Sequence, residues 1–407
     1  MTALLLRDAV LLDPENAECR EGDLLAVDGR IAESGPGLRA PAGARVLELG
    51  GAVVLPGLID AHVHVTAATG DLGALPGWSP YYVGAHAARI LRGMAERGFT
   101  TVRDASGADF GLADAQREGL LSGPRILFCG KALSQTGGHG DARGRGTQVV
   151  NDHPCCAGLG RIADGVDAVR AAARDELRKG AHHIKVMASG GVASPTDRID
   201  STQYSMAELR AAVEEAEAAN RYVAAHAYTA RAVNRALEAG VRSIEHGNLL
   251  DDRSVELFVA HNAFLVPTLV TYWALKEEGM DFGLTRRMWE KVDVVLDAGL
   301  SAVDRAARGG VRMAYGSDLL GGMHRHQSTE FRLRGEVLSP VEVIRSATAT
   351  AAELLGRAGE IGTLAIGALA DLIIVDGNPL DDLGVLADPE THLRAVIQSG
   401  EVTVDRR

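Results

Sequence analysis

Two histidines one residue apart, His62 and His64, close the apolar run "LPGLIDAHVHV". Neutral imidazole is a good ligand for borderline divalent cations, and residues i and i+2 of a strand share a face, so both rings would point the same way. Alone the pair proves little, since a histidine at a strand end is usually structural. Four further residues able to hold a cation or a proton end later apolar runs: Lys185 in "HHIKVMASGG", His226 in "YVAAHAYT", His246 in "SIEHG" and Asp318 in "RMAYGSD". Four imidazoles and a carboxylate without a thiolate suit a catalytic metal site better than a closed structural one. Lys185 is the odd member, because an ammonium repels a cation. A buried lysine has a depressed pKa, and its neutral amine can take up CO2 as a carbamate, a two-oxygen anion able to bridge two cations.

Six residues so far apart in the chain need a fold that returns every strand end to one place. From Gly57 to about Arg357, eight short apolar runs alternate with Ala/Arg/Glu-rich stretches of helical period, such as "VDAVRAAARDELRKGA" and "MAELRAAVEEAEAAN". This grain predicts an α/β fold, a (β/α)8 TIM barrel over residues 57–358, whose strand C-termini share the face where such enzymes place their chemistry. Residues 1–56 and 359–407 instead carry β-type runs cut by Gly, Pro and the Asp28-Gly29 turn. They predict a small all-β domain built from both chain ends.

Composition narrows the function classes. With 407 residues, 46% hydrophobic and 24% charged, the chain is globular and too long for one small core. Its formal net charge of −12 disfavours nucleic acid and anionic membranes as partners. The four cysteines include no CxxC pair, and Cys155 and Cys156 are adjacent, which points to a reducing compartment rather than a disulfide framework or a thiolate site. The stretch "MTALLLRDAVLLD" lacks the order of a signal peptide and no apolar run is long enough to span a bilayer. A cytoplasmic protein acting on a small-molecule substrate is expected.

The motifs "PGLIDAHVH", "IKVMASGG", "AAHAYT", "SIEHG" and "AYGSD", flanked by "GRIAESG" and "ADLIIVDGNP", occur in an order that resembles the amidohydrolase superfamily over essentially the whole chain. The resemblance implies that the flanking segments form a small β-sandwich and that the barrel holds a binuclear centre. One cation would sit on His62, His64 and Asp318, the other on His226 and His246, with carbamylated Lys185 and a hydroxide bridging them. Zn2+ is the expected metal, although a nitrogen and oxygen donor set also accepts Mn2+ or Co2+. The hydroxide would attack an amide carbonyl, and Asp318 would take its proton as general base and pass it to the leaving nitrogen.

Within the superfamily the chain is most similar to the prolidase-like subgroup of Xaa-Pro and Xaa-Arg/Lys dipeptidases, which implies a dipeptide or N-acyl amino acid substrate and a homo-oligomer. By the same resemblance His139, in "ALSQTGGHGD", and Tyr228, two residues past His226, would donate to the developing oxyanion or bind substrate. Arg325, in "LLGGMHRHQSTE", is the expected clamp for a substrate carboxylate, with Arg143, Arg145, His324 and His326 as other candidates. Trp78, Tyr81, Tyr82, Tyr272 and Trp273 suggest an apolar pocket. His86, His153, His182, His183 and His261 are read as non-ligands, His183 being the nearest competitor because it shares a strand face with Lys185. Asp104 either holds a loop or supports the site. Two other readings stand beside this one: a hydrolase of xenobiotic amides, carbamates or ureas, and a non-enzymatic assembly protein on the same fold, which would carry no stoichiometric metal.

Overall fold

The computed structural model describes residues 2–149 and 156–407, so His153 and Cys155 lie outside the described residues. Its centre is made of short parallel strands buried on both faces. One sheet joins Leu58–Val63, Phe99–Asp104 and Arg125–Phe128. The other runs Gly160–Ile162, Ala132–Ser134, Ile184–Met187, Val223–Thr229, Ser243–Leu249, Phe264–Val266 and Arg312–Met313. Continuous apolar runs rather than alternating ones are what parallel strands covered by helices require. Helices such as Val166–Arg178, Met206–Ala218, Ala230–Glu238 and Asp252–Ala260 supply the cover. Their starts are set by side chains: Ser205 and Glu208 form a capping box, as do Asp251 and Ser254.

The two parallel sheets are joined by backbone hydrogen bonds at both margins. Ala61 N donates to Tyr315 O at 2.7 Å and Asp318 N to His62 O at 2.9 Å, while His182 N donates to Phe128 O at 2.8 Å. The fold is mixed α/β with parallel sheets. Among the described residues no helix is long and apolar enough to cross a membrane.

Both chain ends enter one further sheet of eight strands, in which Val53–Pro56 pairs with Leu372–Val375. Strand alternation sorts its side chains. Val54, Leu372 and Ile374 pack with Leu4, Leu24 and Leu47, whereas Val53, Leu55, Ile373 and Val375 face Leu58, Leu91 and Phe99 of the α/β part. This sheet is hydrogen-bonded continuously across strands from both chain ends. The strand Ala3–Asp13 explains this. Its first half pairs with Arg45–Glu48 and its second with Val53–Pro56, and an irregularity between Leu6 and Ala9, with Asp8 at φ 56°, lets it change partners.

Candidate metal centre

The C-terminal ends of the parallel strands open into a small cavity of about 50 Å3 whose wall contains His62, His64, Lys185, His226, His246, Asp318, His139 and Tyr228. A far larger groove, about 1120 Å3, lies around the start of the strand Arg125–Phe128 and contains none of these residues. Local backbone explains the convergence. His226 and Tyr228 share a strand face, as do Lys185 and Met187, and all four line the cavity. His246, at φ 78°, lines the cavity, while its neighbour Glu245 reaches His62 Nδ1 at 2.7 Å. Asp318 and Thr268 are also left-handed, at φ 52° and 47°. Left-handed backbone at non-glycine residues is held only where surrounding contacts over-determine it, and such positions cluster at functional sites.

Asp318 is the hub. His62 Nε2 lies 3.3 Å and His64 Nε2 3.1 Å from its Oδ1, and His246 Nδ1 lies 3.9 Å from its Oδ2. The rings of His62 and His64 are held on the side away from Asp318, and that of His246 through the same Nδ1. His62 Nδ1 is 2.7 Å from Glu245 Oε2, His64 Nδ1 2.9 Å from Ser106 O, and His246 Nδ1 2.8 Å from Thr268 Oγ1. Ser106 O can only accept, so Nδ1 of His64 carries a proton, and its Nε2 faces a carboxylate oxygen; burial lowers the pKa of this ring, but Asp318 more than offsets that and raises it. A cation between the ring and the carboxylate would satisfy this contact with Nε2 as its donor atom. Outward Nδ1 donation is also the arrangement that orients metal-ligating histidines. Ligand atoms of His62, His246 and Asp318 all lie within 4.8 Å of one another. On the second side, His226 Nε2 meets Gly190 O at 3.1 Å, which leaves Nδ1 as its lone-pair atom. The donor set fits divalent cations.

Lys185 is 2% exposed, and burial, reinforced by Arg103, lowers its pKa, the direction an amine needs to be neutral. Beneath it Glu245, fully buried, receives both oxygens' worth of contact from Arg103 Nη2 at 2.8 Å. Burial pushes the Glu245 carboxyl up, but Arg103, Lys185 and His62 together hold it well below the usual carboxylate range. Arg103→Met should therefore leave a buried anion uncompensated and destabilise the protein by about 3–5 kcal/mol. Urea denaturation checks this; a loss below about 1 kcal/mol would mean that Glu245 finds another partner.

The sequence pattern of the amidohydrolase family matches residues 53–404. This chain belongs to the amidohydrolase family. It is 35% identical to the ochratoxinase of Aspergillus niger over 359 residues, 84% of this chain and 74% of that one. A solved prolidase complexed with N-methylphosphonate-L-proline shares 48% identity with a TM-score of 0.97 over 100% of both chains. A Xaa-Pro dipeptidase with methionine bound in its active site shares 28% identity with a TM-score of 0.87, covering 98% of this chain and 99% of that one. The amidohydrolase is thus a hydrolase acting on C–N bonds, and its family generally uses metal ions.

The remaining residues of the amidohydrolase divide sharply. His139 stacks on His226, ring centroids 4.2 Å apart, and Tyr228 contacts both His226 and His246 at 4.8 and 5.2 Å. The Tyr272 hydroxyl donates to Tyr228 Oη at 3.2 Å, so the Tyr228 O–H is left for another acceptor. Arg325 must be corrected. It is not in the cavity wall but exposed, committed to Glu278 at 2.5 Å and to Gly322 O at 2.7 Å. Arg143 is tied to Asp141, His326 to Glu278, and His324 is buried against Ala67 O. Of the aromatic group only Tyr272 lines the cavity; Trp78 and Tyr82 pack with His86 elsewhere, and Trp273 packs on His326. His183 is buried away from the cavity, stacked on Tyr222. Asp104 accepts from Val65 N and Ala108 N, holding the loop after His64.

Sequence reading missed a residue that holds His62 and Asp318 in place. Asp60 sits in the opening motif two residues before His62. Fully buried, it accepts from His62 N, Ser317 N, Ser317 Oγ and Gln327 Nε2 at 3.0, 3.2, 2.6 and 2.8 Å. It fastens the His62 strand to the segment carrying Asp318. Period-two alternation could have flagged it, since Asp60, His62 and His64 share parity.

Proposed function

We propose that the chain is a binuclear metal-dependent amidohydrolase that hydrolyses the amide bond of dipeptides or N-acyl amino acids. The observation that carries this is the convergence of six donor-type residues from separate strand ends on one cavity, with Nε2 of His62 and of His64 directed at Asp318. In this reading the two parallel sheets are arcs of one (β/α)8 barrel over residues 57–358, set against a small domain of residues 1–56 and 359–407. His62, His64 and Asp318 would hold one cation, His226 and His246 the other, and Lys185, as its CO2 carbamate, would reach both. Zn2+ is the preferred ion, with Mn2+ or Co2+ compatible. Bound there, such a pair polarises a carbonyl and acidifies water near neutral pH.

The chain's own residues do the rest. Asp318 accepts the proton of the attacking water and delivers it to the leaving nitrogen. Tyr228 donates its free O–H to the carbonyl oxygen as negative charge develops. His139 presents Nε2 to the substrate, its Nδ1 being engaged 2.9 Å from Ser194 Oγ. Leu72, Val192, Leu275 and Leu320 give the cavity an apolar wall suited to an apolar side chain. The prolidase and dipeptidase relatives favour the dipeptide class. We place the enzyme in the cytoplasm as a homo-oligomer.

One observation favours a second reading. Among the described residues no arginine lines the cavity, so neutral amides, carbamates or ureas would also be accommodated. A panel of Xaa-Pro dipeptides and N-acyl amino acids against aryl carbamates and ureas, with Zn2+ supplied, separates the two. We expect kcat/KM at least about tenfold higher for the first set, a difference of about 1.4 kcal/mol in transition-state binding. Preference for the second set would replace the substrate assignment and leave the hydrolase assignment standing.

A further inference from the structure

His139 does not stand alone at the cavity wall. Its Nδ1 lies 2.9 Å from Ser194 Oγ and 3.6 Å from Asp197 Oδ2, and Ser194 Oγ in turn donates to Asp197 Oδ1. A serine has one hydroxyl proton. If that proton goes to Asp197, the proton between His139 and Ser194 must sit on Nδ1. The order His139, Ser194, Asp197 thus fixes which nitrogen of His139 faces the cavity. Asp197 is itself 7% exposed and is further held by Gly191 N at 3.0 Å and Gln203 Nε2 at 3.3 Å, while Gln203 Oε1 accepts from His139 N at 2.8 Å.

A second element reaches the same cluster. Lys291, on the helix Arg286–Arg308, donates to Gly191 O at 2.9 Å and Ser194 O at 3.0 Å, and its Nζ lies 3.5 Å from Asp197 Oδ1. Three contacts from one ammonium pin the turn that carries Val192 and Ala193, both part of the cavity wall. The turn also fits His139 closely: a Cβ at Gly191 would fall 2.1 Å from Cε1 of His139. Any shift of this turn moves His139. Burial pushes the Asp197 carboxyl up, but His139, Ser194 and Lys291 hold it below the usual carboxylate range, so the cluster keeps an anion at its centre.

We propose that Asp197 and Lys291 are positioning residues for the reaction: Lys291 clamps the Gly191–Ser194 turn and Asp197, through Ser194, sets the orientation of His139 toward the substrate. Neither lines the cavity. The inference rests on the assignment of His139 to substrate handling.

The test is steady-state kinetics on the metal-loaded full chain, with its best substrate from the panel above and metal content measured for each variant. Asp197→Asn and Lys291→Met are expected to lower kcat about tenfold while retaining the bound cations, since a misplaced group near the reacting atoms costs at least that much. Lys291→Arg, which can still donate to both carbonyls, should recover most of the loss. In a His139→Asn background, Asp197→Asn should add less than about a twofold further loss, because its effect runs through the missing ring. Values within twofold of wild type for Asp197→Asn, or an undiminished tenfold loss in the His139→Asn background, would overturn the proposal. If Lys291→Met does not fold, the arginine variant and the double-mutant comparison decide. An unaffected His139→Asn enzyme would instead remove the assignment of His139 beneath it.

Discussion

Asp318→Asn is expected to lower kcat by about a thousandfold or more while the folded structure persists, a loss in the range assigned to a positioned general base and larger than for any other single substitution considered above. The substitution is isosteric, so the backbone turn at Asp318 and its hydrogen bond from Asp318 N to His62 O at 2.9 Å can be kept. What disappears is the anion. His62 Nε2 and His64 Nε2, 3.3 and 3.1 Å from Oδ1, would face an amide that cannot carry the proton. Burial pushes the Asp318 carboxyl up, but His62, His64 and His246 hold it well below the usual carboxylate range, so the wild-type group is ionised and ready to accept. Steady-state kinetics with far-UV circular dichroism and metal content checks this. A variant retaining more than about a tenth of wild-type kcat would mean the proton leaves by another route.

The second large effect concerns the cations and Lys185. Prolonged chelation of the purified enzyme should reduce hydrolysis to background, and Zn2+, Mn2+ or Co2+ with bicarbonate should restore it. The Lys185→Ala variant should bind fewer cations than wild type and recover little activity from metal alone. The reasoning is electrostatic. An intact ammonium at Lys185, beside Arg103 and four histidines, would repel cations, whereas a carbamate adds two oxygen donors. Burial already favours the neutral amine that CO2 requires. Full activity in the chelated enzyme, or full metal content and activity in Lys185→Ala, would contradict this assignment.

Much of the architecture could be read from residue order. Strand ends announced themselves as apolar runs terminating in His, Lys or Asp, and alternation placed His62 with His64 and His226 with Tyr228. Contacts made by groups with no motif of their own were not legible. Glu245 meets His62 Nδ1 although it adjoins His246 of the cavity wall in sequence, and His246 has left-handed backbone. Arg325 was misplaced because a sequence shows that a cation lies near a mouth but not that Glu278, 47 residues earlier, will take it. The strand Ala3–Asp13 serves two neighbours because a local irregularity at Asp8 lets it change partners, which no motif announces. Lys291 gave no signal, since a lysine on an amphipathic helix is ordinarily a solvated residue.

The most direct test is anomalous X-ray diffraction at the zinc edge from crystals of the active, Zn2+-loaded enzyme. Two peaks are predicted in the one cavity, one beside His62, His64 and Asp318 and the other beside His226 and His246, with branched density extending from the Lys185 amine toward both. A single peak, or an unmodified Lys185 turned away from the metals, would contradict the account.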